Sequence, residues 1–263
     1  INGFETMNII SIVNQKGGVG KTTTTLNVAA ALAILDYKVL VVDFDPQGNL
    51  SSGLGIDNSV RENKTIYDVL TNRSKINNSI IRTKINNLDI LTSDINLAAF
   101  EIEITNFENR ESFLYNTLKD FNDIYDFVLI DCPPSLNFLT VNALNASDNV
   151  LIPLQCEFFA LEGLSNLLET LDRIKNNFNH KLTIMGVLLT MYDKRNKLTE
   201  QVEKDVRNCL GELVYETVIP RNVKLAESAS FGLPAIIYDQ NCSGSSAYIN
   251  FVKEMVRKNV KRK

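Results

Sequence analysis

Short apolar runs rich in β-branched residues alternate along the chain with longer segments whose apolar residues recur at helical spacing. Several runs are apolar throughout, as in strands buried on both faces of a sheet. Strands are predicted at residues 8–14, 38–43, 88–91, 127–131, 150–153, 182–190 and 213–219. Helices are predicted at residues 24–33, 65–70, 96–104, 111–121, 161–176, 198–210 and 246–259. The alternation predicts an α/β fold with a doubly wound, mostly parallel sheet flanked by helices.

A glycine-rich segment connects the first predicted strand to the first predicted helix. Its residues are Lys16, Gly17, Gly18, Val19, Gly20, Lys21, Thr22 and Thr23. At such a turn, backbone N–H groups can converge on an anion, and the positive end of the helix dipole adds to the attraction. The side chain of Lys21 could then reach the β- and γ-phosphates of a nucleotide, and the Thr22 hydroxyl could ligate Mg²⁺. The segment is therefore predicted to be a phosphate-binding loop.

Two residues set this loop apart from the general pattern G-x-x-x-x-G-K-[ST]. Gln15 occupies the position of the first glycine, and a second lysine, Lys16, lies at the mouth of the loop. Lys16 is either a solvated charge or a group that reaches the phosphates of a nucleotide held by a second subunit. In these features the chain resembles the deviant Walker A ATPases, a P-loop NTPase-like family that includes the ParA/Soj partition proteins, MinD and the nitrogenase iron protein. The resemblance implies that ATP is the ligand and that Lys16 crosses a dimer interface to the partner's nucleotide.

Acidic residues follow or end two of the predicted strands. A carboxylate at Asp131, the last residue of an apolar strand, can hold Mg²⁺ through a water, opposite Thr22. The resemblance implies that Asp45 positions the attacking water and that Asp43 supports the metal shell. The alternative is that Asp43 and Asp45 are turn residues that cap backbone N–H groups. The predicted catalytic residues are Lys16, Lys21, Asp43 and Asp45, and the predicted metal-binding residues are Thr22, Asp43 and Asp131.

Further segments narrow the resemblance to the ParA/Soj branch. The similar segments are D-P-Q-G-N…S-x-G-L-G at residues 45–55, D-C-P-P-S-L at 131–136 and V-x-I-P-x-Q-x-E-x-x-A-L-E-G at 151–163. Residues 219–222 resemble the loop on the purine side of the nucleotide, which implies that Pro220 and Asn222 flank the adenine. The resemblance spans about residues 8–250. It implies an ATP-hydrolysing molecular switch for DNA segregation, in which an ATP-bound homodimer binds DNA without sequence preference and a ParB-like centromere-binding protein stimulates hydrolysis.

Length and composition indicate how many domains the chain forms and in which cellular compartment it is expected. The 263 residues suit one α/β domain, which we assign to residues 8–260, with residues 1–7 as an extension or a remnant of expression. The four cysteines include no C-x-x-C pair, so neither a disulfide framework nor a zinc site is indicated. No apolar run is long enough to span a bilayer, and the N-terminus lacks a basic-then-apolar signal. A cytoplasmic location is expected, and the resemblance implies association with the nucleoid.

The net charge of −4 limits how this chain could bind DNA. An acidic protein can bind duplex DNA only through a local basic face. The candidates are Arg195 in one loop, Arg221 and Lys224 beside the purine-side loop, and the basic tail at residues 253–263. Each of these residues could equally be a solvated surface charge.

Two other classes of protein share the phosphate-binding loop. A MinD-like membrane-positioning ATPase would use a terminal amphipathic helix, and the tail does place Phe251, Val252, Met255, Val256 and Val260 at helical spacing. Such a stripe is more typical of a helix packed on the core, so no stable membrane association is expected. A nitrogenase-type reductase would need cluster-binding cysteines in glycine-rich loops, and a small-molecule ligase would need a substrate pocket for which the chain has no signature.

Overall fold

Strands and helices alternate along the chain in the computed structural model, which describes residues 7–121 and 123–259. The strands are β1 (Asn8–Ile12), β2 (Val39–Asp43), β3 (Ile80–Arg82), β4 (Leu88–Leu91), β5 (Phe127–Asp131), β6 (Asn149–Gln155) and β7 (Thr183–Thr190). The α-helices are α1 (Lys21–Ile34), α2 (Asn49–Gly53), α3 (Asn58–Arg61), α4 (Ile66–Leu70), α5 (Ile76–Ser79), α6 (Leu97–Glu103), α7 (Phe113–Leu118), α8 (Phe138–Ala146), α9 (Ala160–Asn177), α10 (Lys197–Leu210), α11 (Val223–Ser230), α12 (Ala235–Tyr238) and α13 (Ser243–Asn259).

The strands of this part of the chain form one seven-stranded sheet in the order β3-β4-β2-β5-β1-β6-β7. Neighbouring strands run parallel, except that β3 pairs with β4 in the antiparallel direction. Parallel strands need a crossover between them, and the helices supply it on both faces. The predicted doubly wound, mostly parallel α/β sheet is confirmed.

Two hydrophobic clusters cover the two faces of the sheet. On β2, Val39 and Val41 face one cluster, whereas Leu40 and Val42 face the other. Helices α1, α2, α11, α12 and α13 contribute to the first cluster, and α4 and α6 to α10 contribute to the second. Every residue of β2 and β5 is buried, which explains why each is apolar, without alternation, up to the aspartate that ends it.

The carboxyl ends of β1, β2 and β5 lie side by side. Asp131 of β5 is in register with Ile12 of β1 on one side and with Asp43 of β2 on the other. The segments that follow these strands therefore leave the sheet at one place, which we call the carboxyl edge. In open α/β sheets, ligands bind at this edge, where the direction of strand order changes.

The predicted strand at residues 213–219 is wrong. This segment forms no continuous ladder with β7: the Tyr215 and Ile219 amides donate to carbonyls of β7 at 3.0 and 2.8 Å, but the residues between them do not. The reason is that the Glu254 carboxylate of α13 accepts the backbone N–H groups of residues 216 and 217, at 2.8 and 2.9 Å. Those two donors are not available to a strand ladder.

Other element boundaries differ from the predicted ones. The predicted helix at residues 111–121 is α-helical only from Phe113 to Leu118 and has a 3₁₀ turn on each side. The helix predicted at residues 65–70 is confirmed with its capping box, in which Thr65 and Asp68 exchange side-chain to backbone hydrogen bonds. Strand β3 and helices α2, α3, α5, α8, α11 and α12 were not predicted, because they are short or lack a strong apolar period.

Helix α13 packs against α1 and the sheet. Its side chains Tyr248, Phe251, Val252 and Met255 are buried, and the Tyr248 hydroxyl lies 3.0 Å from Thr24 Oγ1 of α1. The predicted packing of this helix on the core is confirmed. Val260 and the basic residues at 261–263 lie outside the described residues, as do residues 1–6 of the predicted extension. None of the helices in the described ranges has the length and hydropathy to cross a membrane.

Candidate functional site

The glycine-rich loop lies between β1 and α1 at the carboxyl edge. Gly18 and Gly20 adopt left-handed backbone conformations, with φ of 77° and 87°, which other L-residues enter only with strain. Gly20 is the N-cap of α1 and supplies no side-chain cap. The first amides of α1 are therefore available to an anion, and the helix dipole favours negative charge at the same point.

The loop is anchored to the neighbouring strands. The side-chain amide of Asn14 donates to the Pro153 carbonyl of β6 at 2.7 Å, and the Lys16 amide donates to Asn14 Oδ1 at 3.0 Å. Farther along the loop, Thr190 at the end of β7 donates to the Val19 carbonyl at 2.9 Å. These contacts tie the loop to the ends of β6 and β7.

Lys21 is the first residue of α1 and its side chain is 8% exposed. Its ammonium group donates to the Lys16 carbonyl at 3.1 Å, which directs it back across the loop. Burial lowers the pKa of Lys21, and the nearby Asp131, Cys132 and Asp45 act in the opposite direction. A cation held this way faces the space that the loop amides enclose.

Asp131 and Thr22 meet beneath the loop. The Thr22 hydroxyl donates to Asp131 Oδ2 at 2.7 Å, and the Thr25 hydroxyl donates to Asp131 Oδ1 at 3.2 Å. Burial raises the pKa of Asp131 to about 8, and the neighbouring Asp43 contributes to the rise. Thr23 lies beside Thr22 in the first turn of α1.

Asp43 bonds to the chain's own backbone. Its Oδ2 accepts from the Ser51 amide at 2.8 Å and from the Ser51 hydroxyl at 2.6 Å, so the carboxylate anchors the first turn of α2. Burial raises the pKa of Asp43 to about 6, against the lowering effect of these bonds. No local pattern indicated the Ser51 contact, which depends on how α2 folds back over the carboxyl edge.

Asp45 begins the turn that follows β2. Its Oδ1 accepts from the Gln47 amide at 3.0 Å, and its carbonyl accepts from the Gly48 amide at 3.0 Å. Gly48 has a φ of 63°, so the turn needs a residue that tolerates the left-handed region. The side chain is 8% exposed and interacts electrostatically with Lys21 and Asp131.

The donor set fits Mg²⁺ with a nucleotide. Three carboxylates, those of Asp43, Asp45 and Asp131, lie near one another at a largely buried edge, and the raised pKa values of two of them reflect burial and mutual repulsion. No three acidic, His or Cys side chains of the described residues converge closely enough to hold a metal alone. Mg²⁺ is usually held by one or two protein oxygens together with waters and phosphates, and Thr22 with Asp131 matches that arrangement.

Lys16 forms an ion pair with Glu157, which follows the end of β6. The two side chains are 51% and 43% exposed, so the pair lies at the mouth of the loop. Glu157 was not singled out from the sequence, although it belongs to one of the similar segments. Its contact with Lys16 depends on β6 lying beside β1.

Pro220 and Asn222 lie on the β7 side of the glycine-rich loop. Pro220 bridges to Tyr192, two residues after the Thr190 side chain that bonds the loop. Asn222 is the N-cap of α11, and its side chain accepts from the Lys224 amide and donates to Ser243 Oγ, each at 2.8 Å. Asn222 therefore connects α11 to the start of α13.

The predicted DNA-contacting residues occupy two places. Arg195 makes a two-point ion pair with Asp193, with both N···O distances 3.0 Å, and Arg221 is near enough to help lower the pKa of Asp193 to about 2. Lys224 instead lies on α11, where it pairs with Glu227 at 2.9 Å. The structure thus brings Arg195 and Arg221 together, and local acids offset part of their charge.

A doubly wound sheet with a glycine-rich loop after β1 and the Thr22–Asp131 pair beneath it defines a P-loop nucleotide-binding protein. A protein-family model described as an AAA domain matches residues 7–184. The chain is 49% identical to the chromosome partitioning protein ParA of Caulobacter vibrioides over 252 residues, which are 95% of this chain and 94% of that protein. The chain belongs to the ParA/Soj family of chromosome-partitioning ATPases.

Two further comparisons agree with this family. The sporulation initiation inhibitor protein Soj of Bacillus subtilis is 48% identical over 247 residues, 94% of this chain and 97% of that protein. The solved structure of cobyrinic acid a,c-diamide synthase from Mycobacterium smegmatis, with bound ATP analog and magnesium, has a TM-score of 0.85 and 34% identity over 95% of this chain and 94% of that chain. The family predicted from the loop and its flanking motifs is confirmed.

Proposed function

We propose that this chain is a Mg²⁺-dependent ATPase that acts as a molecular switch in DNA segregation. The observation that carries the proposal is the 2.7 Å hydrogen bond from Thr22 to Asp131 beneath a glycine-rich loop that holds Lys21. The backbone of residues 17–23 would bind the phosphates, with Lys21 neutralising the β- and γ-phosphates. Pro220 and Asn222 would border the adenine. A protein of the same fold, the synthase from Mycobacterium smegmatis, holds an ATP analog and magnesium.

The metal would be held by the Thr22 hydroxyl and, through a water, by Asp131, with Asp43 supporting the shell. When bound, Mg²⁺ neutralises charge that develops on the transferred phosphoryl group. The Thr22 hydroxyl donates to Asp131, so it already lies beside the carboxylate with which it would share the ion. Asp45 would orient the attacking water, because hydrolysis of ATP needs a positioned nucleophile more than a strong base.

The hydrolysis proposal is tested by comparing Asp45→Asn and Lys21→Ala in phosphate release and in ATP binding. Asp45→Asn should abolish turnover and keep ATP affinity, because the amide preserves the shape of the side chain but not its charge. Lys21→Ala should lose affinity, because it removes the main cation of the loop. Asp36→Asn, an exposed change beyond the far end of α1, is the matched control. Wild-type turnover in Asp45→Asn would contradict the role of Asp45.

The switch proposal adds a dimer, DNA and a partner protein. Lys16 would reach the nucleotide of a second subunit, so ATP should produce a dimer in the wild type but not in Lys16→Ala, as measured by sedimentation. The dimer would bind DNA without sequence preference through Arg195, Arg221 and Lys224, and a ParB-like protein would stimulate hydrolysis. The names of the relatives support a role in chromosome partitioning. The described part of α13 has its apolar face buried, which disfavours the MinD-like membrane alternative.

A further inference from the structure

Arg61, the last residue of α3, is a buried arginine for which the proposed chemistry has no role. Its side chain is 6% exposed. Nε and Nη2 donate to the Ile56 carbonyl at 2.9 and 2.6 Å, and Nη2 also donates to Ser52 Oγ at 2.9 Å. Nη1 lies 3.5 Å from the carbonyls of Gly48 and Ser93. The guanidinium group therefore bonds mainly to one segment, residues 48–56.

A buried guanidinium group is costly unless it is well bonded, and its partner is most often a carboxylate. Arg61 is not in any of the ion pairs found among the described residues. Its planar fork of donors reaches backbone carbonyls and a hydroxyl instead, and such a fork fixes geometry better than a lysine could. The contacts thus point to a function in holding backbone in place.

The held segment is the direct continuation of the turn that carries Asp45. The turn ends at Gly48, where a Cβ would lie 3.0 Å from Arg61 Nη1 and 3.0 Å from the Ser93 carbonyl, so this packing is tight. A second anchor lies alongside, because the Ser51 hydroxyl donates to Asp43 and accepts from the Ser93 amide at 3.2 Å. Arg61 and Ser51 together tie the segment after Asp45 to the ends of β2 and β4.

We propose that Arg61 is a positioning residue for ATP hydrolysis. By holding residues 48–56, it keeps the turn from Asp45 to Gly48, and with it the Asp45 carboxylate, in the orientation that places the attacking water. This inference rests on the proposed ATPase function. The hydrogen bonds of Arg61 go to residues 48–56 and Ser93 and not to the glycine-rich loop. Arg61 therefore acts on the hydrolytic step and not on nucleotide affinity.

The first test measures kcat and ATP affinity separately in Arg61→Lys. This substitution keeps the positive charge of the side chain and removes the planar guanidinium group with its several N–H donors. We expect kcat to fall about tenfold or more, because a small misplacement of a water-positioning group is costly, whereas the ATP Kd changes less than about twofold. Arg207→Lys is the matched control, since Arg207 is ion-paired to Glu203 on α10, away from the Asp45 turn. Wild-type kcat in Arg61→Lys would overturn the inference.

The second test is chemical rescue of Arg61→Ala by added guanidinium ion at concentrations well below those that unfold the protein. A groove lined by Pro46, Gln47, Glu62, Asp94 and Ile95 opens beside Arg61 and gives the ion a path to the site. Guanidinium should restore part of kcat in Arg61→Ala and leave the kcat of Arg207→Ala, which should already equal that of the wild type, unchanged. A loss of kcat that guanidinium does not restore, together with an equal loss of ATP affinity and thermal stability, would show a purely structural role and overturn the inference.

Hydrogen exchange gives a readout that does not depend on turnover. In Arg61→Lys, backbone amides at residues 45–56 should exchange faster, while those at residues 17–23 should be unchanged. Unchanged exchange at residues 45–56 would show that Arg61 does not hold the turn. A wild-type chain without ATPase activity would instead overturn the proposed function, and the exchange result would still decide whether Arg61 holds this segment.

Discussion

Asp43, Asp45 and Asp131 place three carboxylates at the carboxyl edge, and each is held differently. Asp131 accepts from two threonine hydroxyls, Asp43 accepts from Ser51, and Asp45 accepts from the amide of its own turn. Hydrogen bonds to a carboxylate favour its charged form, whereas burial and like charges oppose it. At the residue scale, each of the three carboxylates therefore accepts hydrogen bonds from the protein itself. The negative charge that they concentrate at the carboxyl edge would attract a cation.

The Lys16–Glu157 ion pair leads to a prediction about dimerisation. Lys16 cannot both pair with Glu157 of its own chain and reach a partner's nucleotide, so the pair competes with the proposed dimer. Glu157→Gln keeps the size of the side chain and removes its charge. An exposed pair contributes at most about 1 kcal/mol and a symmetric dimer would break two of them, so the ATP-dependent dimer should tighten by up to about 30-fold.

Sedimentation equilibrium with ATP measures this change. The control is Glu162→Gln, the same substitution at an exposed glutamate of α9. Dimerisation that is unchanged or weaker in Glu157→Gln would show that Glu157 does not compete for Lys16. A weaker dimer would further indicate that Glu157 itself contributes to the interface.

At the scale of elements, α13 does more than cover one face of the sheet. It closes the first hydrophobic cluster through Tyr248 and Phe251, and it carries Glu254, whose carboxylate takes two backbone N–H groups from the segment before Pro220. That segment leads to the proposed adenine-side loop. A helix distant in sequence from the glycine-rich loop thus shapes the segment that leads to the proposed adenine-side loop.

Glu254 leads to a prediction about stability and pH. Burial by itself would raise the pKa of Glu254, but hydrogen bonds from Thr217, Glu216 and Lys258 outweigh it and lower the pKa from 4.5 to about 2. A carboxyl whose pKa is lower in the folded state stabilises the fold above its unfolded pKa, and the effect disappears as pH falls through the folded pKa. Glu254→Gln should therefore lower the free energy of unfolding at pH 7 by on the order of 1–2 kcal/mol.

The difference between wild type and Glu254→Gln should shrink below about pH 4.5 and vanish near pH 2, as followed by urea unfolding at several pH values. Glu169→Gln is the control, because Glu169 pairs with Arg173 on the surface of α9, where both side chains are about three-quarters exposed. If the difference in the free energy of unfolding between wild type and Glu254→Gln did not change with pH, the stabilisation would not come from the charge of Glu254.

At the scale of the whole molecule, a chain of net charge −4 is proposed to bind a polyanion. The proposed dimerisation would resolve the conflict, because it would double each weak phosphate contact within one complex. The basic positions nearest the adenine-side loop are Arg221 and, beside it, the Arg195–Asp193 pair. Their location beside a loop proposed to border the nucleotide would offer a direct way for the nucleotide to influence the proposed DNA contacts.

Arg221→Gln should weaken DNA binding in the presence of ATP and leave dimerisation intact. In the dimer, the slope of log affinity against log salt concentration should become shallower by about two units. Each of the two subunits would neutralise one phosphate fewer, and each lost phosphate contact changes the slope by roughly one unit. Filter retention at several salt concentrations measures this, and Arg173→Gln on the surface of α9 is the control. Equal affinity with ATP and ADP, or preference for one DNA sequence, would contradict the partition-switch proposal and reopen the membrane alternative.

Much of the fold and the centre of the site could be predicted because the signals are local. A buried strand, left-handed glycines and a helix start fall within about 30 residues, and the backbone geometry they need is encoded by those residues alone. The same holds for the capping box of α4, which is closed by Thr65 and Asp68, three residues apart. These features identified the phosphate-binding loop, the acidic strand ends and the family.

What the sequence did not reveal depends on which strands are neighbours and on which helices fold over their ends. The Lys16–Glu157 pair joins residues 141 apart, and the Asp43–Ser51 anchor and the Arg61 contacts require α2 and α3 to lie over the carboxyl edge. The predicted strand at 213–219 failed for the same reason, since Glu254 of α13 takes two of its backbone donors. The sequence alone determined the loop, the parallel strands and the family, because their geometry is set by neighbouring residues. Only the tertiary structure decided which carboxylate bonds which donor, because those partners meet only when the sheet has assembled.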